Sequence, residues 1–231
     1  MKKNTENTGL LLLSALLLTA FSTVSASEIG NGTRLFDGKT LEGWKEIPGG
    51  KWEVRDGAIV GTSPKGDPRH GIIYFDQPYS DFKIEFEYKS LKGNSGFYFR
   101  SEKVGDHLGF HGIQAEIDAQ GQCAGGLYET AGRNWLIRPS REIIRKAFKR
   151  GQWNKMEVVA VGETIEVTLN GVRTASLKDR TGRKSGLIGF QLHGGLEMHV
   201  EVRNIVMTDL SKAKRDKKCS STEERSSSLR Q

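Results

Sequence analysis

Residues 156–171 read MEVVAVGETIEVTLNG, and the pattern of this stretch decides the fold. Two runs rich in β-branched residues meet at Gly162-Glu163, and the second ends on Asn170-Gly171, the strongest short signal for a tight hairpin. Upstream, in DFKIEFEYK at 81–89, Phe82, Ile84, Phe86 and Tyr88 alternate with Lys83, Glu85 and Glu87, the period of a half-buried antiparallel strand. Further strand runs follow the same logic: KWEV at 51–54, AIVG at 58–61, GIIYF at 71–75, GFYFR at 96–100, GLIGFQLHG at 186–194 and LEMHVEVRNIVM at 196–207. The 28 glycines supply turns at short intervals. Only REIIRKAFKR at 141–150 has helical spacing, and it reads as a short helix or turn over a sheet end. Many short strands with little helix predict an all-β chain folded as a two-sheet antiparallel sandwich.

The ends of the chain have a different character. Lys2 and Lys3 precede a 12-residue apolar run at 10–21 and then Val24-Ser25-Ala26, so residues 1–26 are expected to be a secretory signal peptide cut after Ala26. The run is short of the roughly 20 residues a spanning helix needs, and no second one follows, so no membrane span is expected. Residues 27–210 are expected to form one domain, exported to the periplasm or the extracellular space. The formal charge is +7, but residues 211–231 hold seven basic and three acidic residues, and 1–26 carry a net +1, which leaves +2 on the body. Nucleic acid is therefore not an expected partner, and the Ser-rich basic segment 211–231 reads as a disordered tail. Cys123 and Cys219 are permitted to pair in an oxidising compartment, but nothing in their spacing requires it.

The stretch GIQAEID at 112–118 carries the chemistry. Alternation puts Ile113, Ala115 and Ile117 on one face and Gln114, Glu116 and Asp118 on the other. Acidic residues are depleted in strands, so this row is unlike an ordinary wet sheet surface. GNSGFYFRS at 93–101 reads as a central strand with Tyr98 and Arg100 on one side, and GFQLHG offers Gln191 and His193 at alternate positions. If these three strands share a sheet, Arg100, Gln114, Glu116, Asp118, Gln191 and His193 line one concavity. Forked donors, carboxylates and an imidazole suit a polyhydroxylated ligand, so a carbohydrate is the expected partner.

Glu116-Ile117-Asp118 resembles the catalytic strand of laminarinase-like retaining glucanases. Those enzymes need a second carboxyl group about 5 to 5.5 Å away. Here Gln120 or Gln122 stands where it is required, and an amide can neither give nor take the proton. A more specific resemblance spans the body of the chain. LFDGKTLEGWK at 35–45, WEVRDGAIVGT at 52–62, DFKIEFEYK with GNSGFYFRS, GIQAEID, GGLYETAGRNWL at 125–136, GQWNKMEVVAVGETIEVTLNGV at 151–172 and GLIGFQLHGG with VEVRNIVM follow one another. This order is similar to that of the 3-keto-disaccharide hydrolase-like family, also described as a 3-keto-glucoside lyase and 3-keto-2-hydroxyglucal hydratase domain. The similarity covers about residues 34 to 208.

That resemblance implies a concanavalin A-like jelly roll and a sugar already oxidised at C3. The ketone acidifies the hydrogen on C2, so a base can remove it and the C1 substituent can leave without a second carboxylate. His193 or Glu116 is the expected base, the imidazole because it titrates near neutrality, at roughly 6.5 when unperturbed. Arg100, Gln114, Asp118 and Gln191 would hold sugar hydroxyls or an enolate oxygen, Tyr128 and Glu129 would shape the mouth, and Trp135 would stack on a sugar ring. Glu116, Gln114 and His193 also offer donors to a divalent cation that would polarise the ketone; no other cofactor is implied. Trp44, Trp52 and Trp153 are read as core, and His70, His107, His111 and His199 are set aside. Three rivals remain open: a carbohydrate-binding module without catalysis, an ordinary glycoside hydrolase, and a structural sandwich domain of a larger surface assembly.

Overall fold

The computed structural model describes residues 28–29 and 32–211. The expected leader at 1–26, the tail beyond Ser211 and Cys219 lie outside these described residues.

Among the described residues, sixteen strands and one helix form in chain order. They are β1 (Glu28–Ile29), β2 (Gly32–Arg34), β3 (Trp44–Ile47), β4 (Lys51–Arg55), β5 (Ala58–Ser63), β6 (Gly71–Tyr79), β7 (Phe82–Lys92) and β8 (Asn94–Lys103). There follow β9 (Phe110–Asp118), β10 (Leu127–Thr130), β11 (Asn134–Ile137), α1 (Arg141–Ala147), β12 (Asn154–Val161), β13 (Thr164–Leu169), β14 (Val172–Lys178), β15 (Gly186–Leu192) and β16 (Met198–Asp209). One sheet runs β1-β2-β16-β7-β12-β13-β14, with β5 also on β16 and β4 outside β5. The other runs β11-β10-β9-β8-β15-β6-β3, so the three strands of the polar row are neighbours, with β8 between β9 and β15. Every pairing is antiparallel. The fold is the all-β jelly-roll sandwich the strand pattern predicts.

The opening stretch folds as expected. β12 pairs β13 through a two-residue loop in which Gly162 takes φ 57°, and Asn170 and Gly171 take φ 49° and 83° between β13 and β14. Both positive angles at Asn170-Gly171 fit a type I′ turn, whose twist matches the flanking strands. Asn170 also ties the hairpin down, since its amide donates to Ala147 O at 2.8 Å and its carbonyl accepts Lys155 N at 2.9 Å.

Phe82, Ile84, Phe86 and Tyr88 are buried, while Lys83, Glu85, Glu87 and Lys89 face out and pair with charged neighbours. Their inward rings meet those of the second sheet: Phe86 lies 5.1 Å from both Phe97 and Phe190, the latter nearly edge-on. Ile113, Ala115 and Ile117 complete the same core, which puts Gln114 and Glu116 on the opposite face of their sheet. Trp44 and Trp52 are core, as expected. Trp153 is half-buried, with Lys89 and Arg203 over its ring. α1 is capped by Ser140, whose hydroxyl accepts Ile143 N, and it packs on β14. No helix among the described residues is long and apolar enough to cross a membrane.

Candidate functional site

On the outer face of the second sheet, Gln114, Glu116, Tyr128, Trp135, Gln191 and His193 converge on one cleft of about 540 Å³. His70, Asn94, His107 and Thr130 join them. The cleft exists because its floor is partly bare. Gly96 pairs opposite Glu116 in β9, and a Cβ there would sit 2.1 Å from Gln114 Oε1. Glycine leaves that space to the amide.

A chain of polar contacts crosses the floor from strand to strand, with one residue each from β10, β9, β8 and β15 and His70 just before β6. Gln114 Nε2 donates to Thr130 Oγ1 (3.3 Å), which bonds Tyr98 Oη (2.8 Å). Gln191 Nε2 lies 3.1 Å from Tyr98 Oη and 2.7 Å from Nδ1 of His70. These side chains are at most 7 % exposed, so the network is rigid. Two acceptors are left over: Gln114 Oε1 and Asn94 Oδ1 are buried without a protein partner. Leaving such groups unmet costs on the order of 1–3 kcal/mol each, and hydroxyl donors of a sugar would recover it.

The two cleft imidazoles whose rings are fixed by neighbours take opposite tautomers. His193 Nδ1 donates to Gly194 O at 2.7 Å, which leaves Nε2 as a lone-pair acceptor. His70 accepts on Nδ1 from Gln191, so its proton sits on Nε2. Burial, then the neighbouring His193 and His107, depress the His70 pKa to about 4, so this ring is neutral at physiological pH. Its centroid lies 4.5 Å from that of His193.

Glu116 is 2 % exposed, and burial raises its pKa to about 7 against opposing hydrogen bonds from Asn94 and Cys123. The carboxyl group is thus poised between acid and base. The linkage has a definite sign: between roughly 4.5 and 7 the folded state holds a proton that the unfolded state has lost, so the Glu116 contribution to stability falls as pH rises through that window. His70 acts in reverse. Its pKa is lowered on folding, so its contribution rises with pH between about 4 and 6.5. The two slopes oppose each other in the wild type. Glu116→Gln is expected to remove one of them, giving a protein more stable than wild type by about 2–3 kcal/mol at pH 8 and no more stable at pH 4. Urea titrations at both pH values would read this; a variant destabilised at pH 8 would refute the buried neutral carboxyl.

Three expected site residues belong elsewhere. Arg100 does not line the cleft. A bulge after Phe99 puts Arg100 at φ 49° and breaks the alternation, turning its side chain inward to the backbone oxygens of Ser80 (2.9 Å) and Gly162 (2.9 Å). Asp118 closes β9 and braces the following loop, accepting the backbone N–H groups of Gln120, Gln122 and Cys123 at 2.8, 2.6 and 3.2 Å. Glu129 pairs opposite Ile113 and shares its parity, pointing away from Tyr128. There it binds Arg133, which also grips Asp179 at 2.7 Å and anchors the loop. His70 and His107, set aside on the sequence pattern, are both in the cleft. His70 precedes β6 with the parity of Ile72, which pairs opposite Gln191, and its backbone N–H donates to His107 O at 2.8 Å.

Among the described residues, no three His, Cys, Asp or Glu side chains are placed to hold a metal ion. Of the set considered for a divalent cation, Glu116 and His193 are of these types, and Gln114 would add an amide oxygen. Cys123 is buried and free among the described residues, with its thiol 3.6 Å from Glu116 Oε2.

A polar cleft laid across one face of a two-sheet jelly roll, floored by amides and a single carboxyl group, defines a carbohydrate-handling β-sandwich. The chain belongs to the 3-keto-alpha-glucoside-1,2-lyase-like domain family, whose model matches residues 31–208. No curated protein matches the sequence significantly. Among solved structures, a candidate glycosyl hydrolase from Parabacteroides distasonis is similar at 23% identity and a TM-score of 0.59, over 78% of this chain and 94% of that one. The carbohydrate-binding module CBM66 from Bacillus subtilis is similar at 16% identity and a TM-score of 0.55, over 72% and 95%. A Bacillus subtilis protein with a galectin-like fold aligns at 10% identity and a TM-score of 0.60, over 73% and 90%. At these identities the likeness speaks for the fold.

Proposed function

We propose that the protein is an exported enzyme, periplasmic or extracellular, that cleaves 3-keto-glycosides by removing the C2 proton and eliminating the C1 substituent. The observation that carries this reading is that Glu116 is, among the described residues, the single carboxylic side chain lining the cleft. Hydrolysis by double displacement or by inversion needs two. Elimination needs one base, one acid and a donor for the enolate.

The tautomers assign the parts. His193 Nε2 takes the hydrogen from C2, and the electron pair passes into the enolate of the C3 ketone. The neutral His70 ring, with its proton on Nε2, faces the cleft as the donor to the enolate oxygen. Collapse of the enolate restores the C3 carbonyl, forms the C1–C2 double bond and breaks C1–O, while the protonated Glu116 carboxyl gives its proton to the departing oxygen. The products are a free alcohol and a 3-keto-2-hydroxyglucal. Water then adds at C1, losing a proton to the Glu116 carboxylate, and His193 returns its proton to C2; the net result is hydrolysis. Gln114 and Asn94 offer their unpaired oxygens to sugar hydroxyls, and Trp135 with Tyr128, in edge contact 5.4 Å apart, forms an aromatic wall.

A matched pair of substrates tests the reading: an aryl glucoside and its C3-oxidised analogue. Aglycone release is expected from the keto compound alone. Release from both would return an ordinary glycosidase, and release from neither would leave carbohydrate binding without catalysis.

A further inference from the structure

A second cavity of about 620 Å³ adjoins the cleft, and its chemistry differs sharply from that of the sugar floor. Its walls carry Arg138, Arg141 and Arg145 with Gln122 and Cys123, and no carboxylate. The two spaces share a partition. The Cys123 thiol touches Glu116 on the far side at 3.6 Å, and the Arg138 guanidinium lies 4.2 Å over the ring of Trp135, which lines the cleft. Elsewhere on the body, Arg69, Arg133, Arg173, Arg183 and Arg203 each pair with a carboxylate, while among the described residues Arg34, Arg150 and Arg180 stand singly and do not share a cavity with one another. Arg138, Arg141 and Arg145 have no such ion pair among the described residues. Arg141 and Arg145 stand one turn apart on α1, a like-charge spacing that destabilises a helix unless an anion lies between them. Arg141 and Arg145, with Arg138 whose charge also acts on Glu116 across the partition, bring three guanidinium forks to one cavity, the donors that planar or tetrahedral oxyanions require.

We infer that this cavity is the leaving-group subsite of the cleft, and that it selects a leaving group bearing an anionic substituent, a carboxylate or a sulfate or phosphate ester. The inference rests on the 3-keto-glycoside reading for which side of the bond the group occupies. It follows from placement. Glu116, the acid that protonates the departing oxygen, stands at the partition, so the departing group lies toward Cys123 and Arg138 while the keto sugar lies toward Gln191 and His193. The substrates singled out are thus glycosides of acidic partners, such as a uronic acid, a sulfated sugar or an aromatic acid.

The test is binding and turnover of 3-keto-glucosides whose aryl groups differ only in charge: 4-carboxyphenyl and 4-sulfophenyl against the neutral 4-carbamoylphenyl. Two charge-assisted hydrogen bonds predict about a tenfold tighter Kd for the anionic compounds. Calorimetry with the His193→Ala protein reads this without turnover. In Arg141→Gln/Arg145→Gln, on two exposed positions, the anionic preference is expected to disappear, while kcat/KM for the neutral compound stays within about threefold of wild type. Preference for both anions assigns a general oxyanion site, and preference for one assigns that group. Equal binding of charged and neutral compounds, or a preference that survives the double substitution, overturns the subsite. Because binding is measured apart from release, a protein that discriminates the anions but turns over nothing would refute the lyase reading and keep the subsite.

Discussion

The His193→Ala protein is expected to release aglycone from a 3-keto-glucoside about 10²–10⁴-fold more slowly than wild type, the range lost with a general base. KM should change little, because the imidazole meets the C2 hydrogen and the unpaired amide oxygens of Gln114 and Asn94 hold the hydroxyls. The Nδ1 proton is committed to Gly194 O at 2.7 Å, which leaves the lone pair on Nε2 for the role the proposed mechanism gives it. Added imidazole should restore part of the rate in this variant. Glu116→Gln should behave differently. Its loss should weigh on poor leaving groups, which need a proton, and spare good ones, and the fall in rate as pH passes about 7 should vanish with the carboxyl. A reversed result, with rescue at Glu116 variants and unchanged turnover in His193→Ala, would make Glu116 the base. Weaker binding with no turnover in the parent protein would mean a binding module.

Much of this is legible in the sequence, for reasons that can be traced to particular residues. Strand parity is a local property. Gln114, Glu116 and Gln191 can be placed on one face because β9 and β15 run without interruption through them, His193 follows directly on the end of β15, and Tyr98 falls with them by the same rule. The rule fails for Arg100 because one residue in a left-handed conformation inverts everything beyond it. Asp118 has the parity of Glu116, but the strand stops there, and three backbone N–H groups of the returning loop claim its carboxylate. Glu129 escapes the sequence pattern because its orientation depends on the register of β10 against β9, which pairs it with Ile113. His70 is hidden by its company. Ile72 and Tyr74, which share its face, join Tyr98 and Phe110 in a separate apolar cluster, so no polar row announces the site at that end of the sheet. His107 arrives through a loop, and contacts with His70, its carbonyl on the His70 N–H and its ring edge-on to the His70 ring, bring it to the cleft.

The position of Arg100 makes a second large effect predictable, in stability and not in binding. Its guanidinium is fully buried at the end of the sandwich. Nε and Nη2 donate to Ser80 O at 3.2 and 2.9 Å, Nη1 donates to Gly162 O at 2.9 Å, and Asp81 lies 3.6 Å away. Asp81 in turn accepts Gly162 N at 2.7 Å, so one side chain from the second sheet clamps the β6–β7 connection between the sheets to the β12–β13 turn of the first. Arg100→Met keeps the apolar stem but removes every donor. Two backbone carbonyls then lose their partners and the Asp81 carboxylate loses its buried counter-charge, a combination that costs about 3–5 kcal/mol when one member of a buried pair is deleted. Denaturant titration should show the midpoint falling with little change in slope, since the surface exposed on unfolding is nearly the same. Arg100→Lys should recover part of the loss through its charge, while its single ammonium cannot span both turns. Below its unfolding transition the Arg100→Met protein should keep the wild-type KM for a 3-keto-glucoside. A raised KM with unchanged stability would instead place the guanidinium in the cleft, where strict alternation from Tyr98 would have put it.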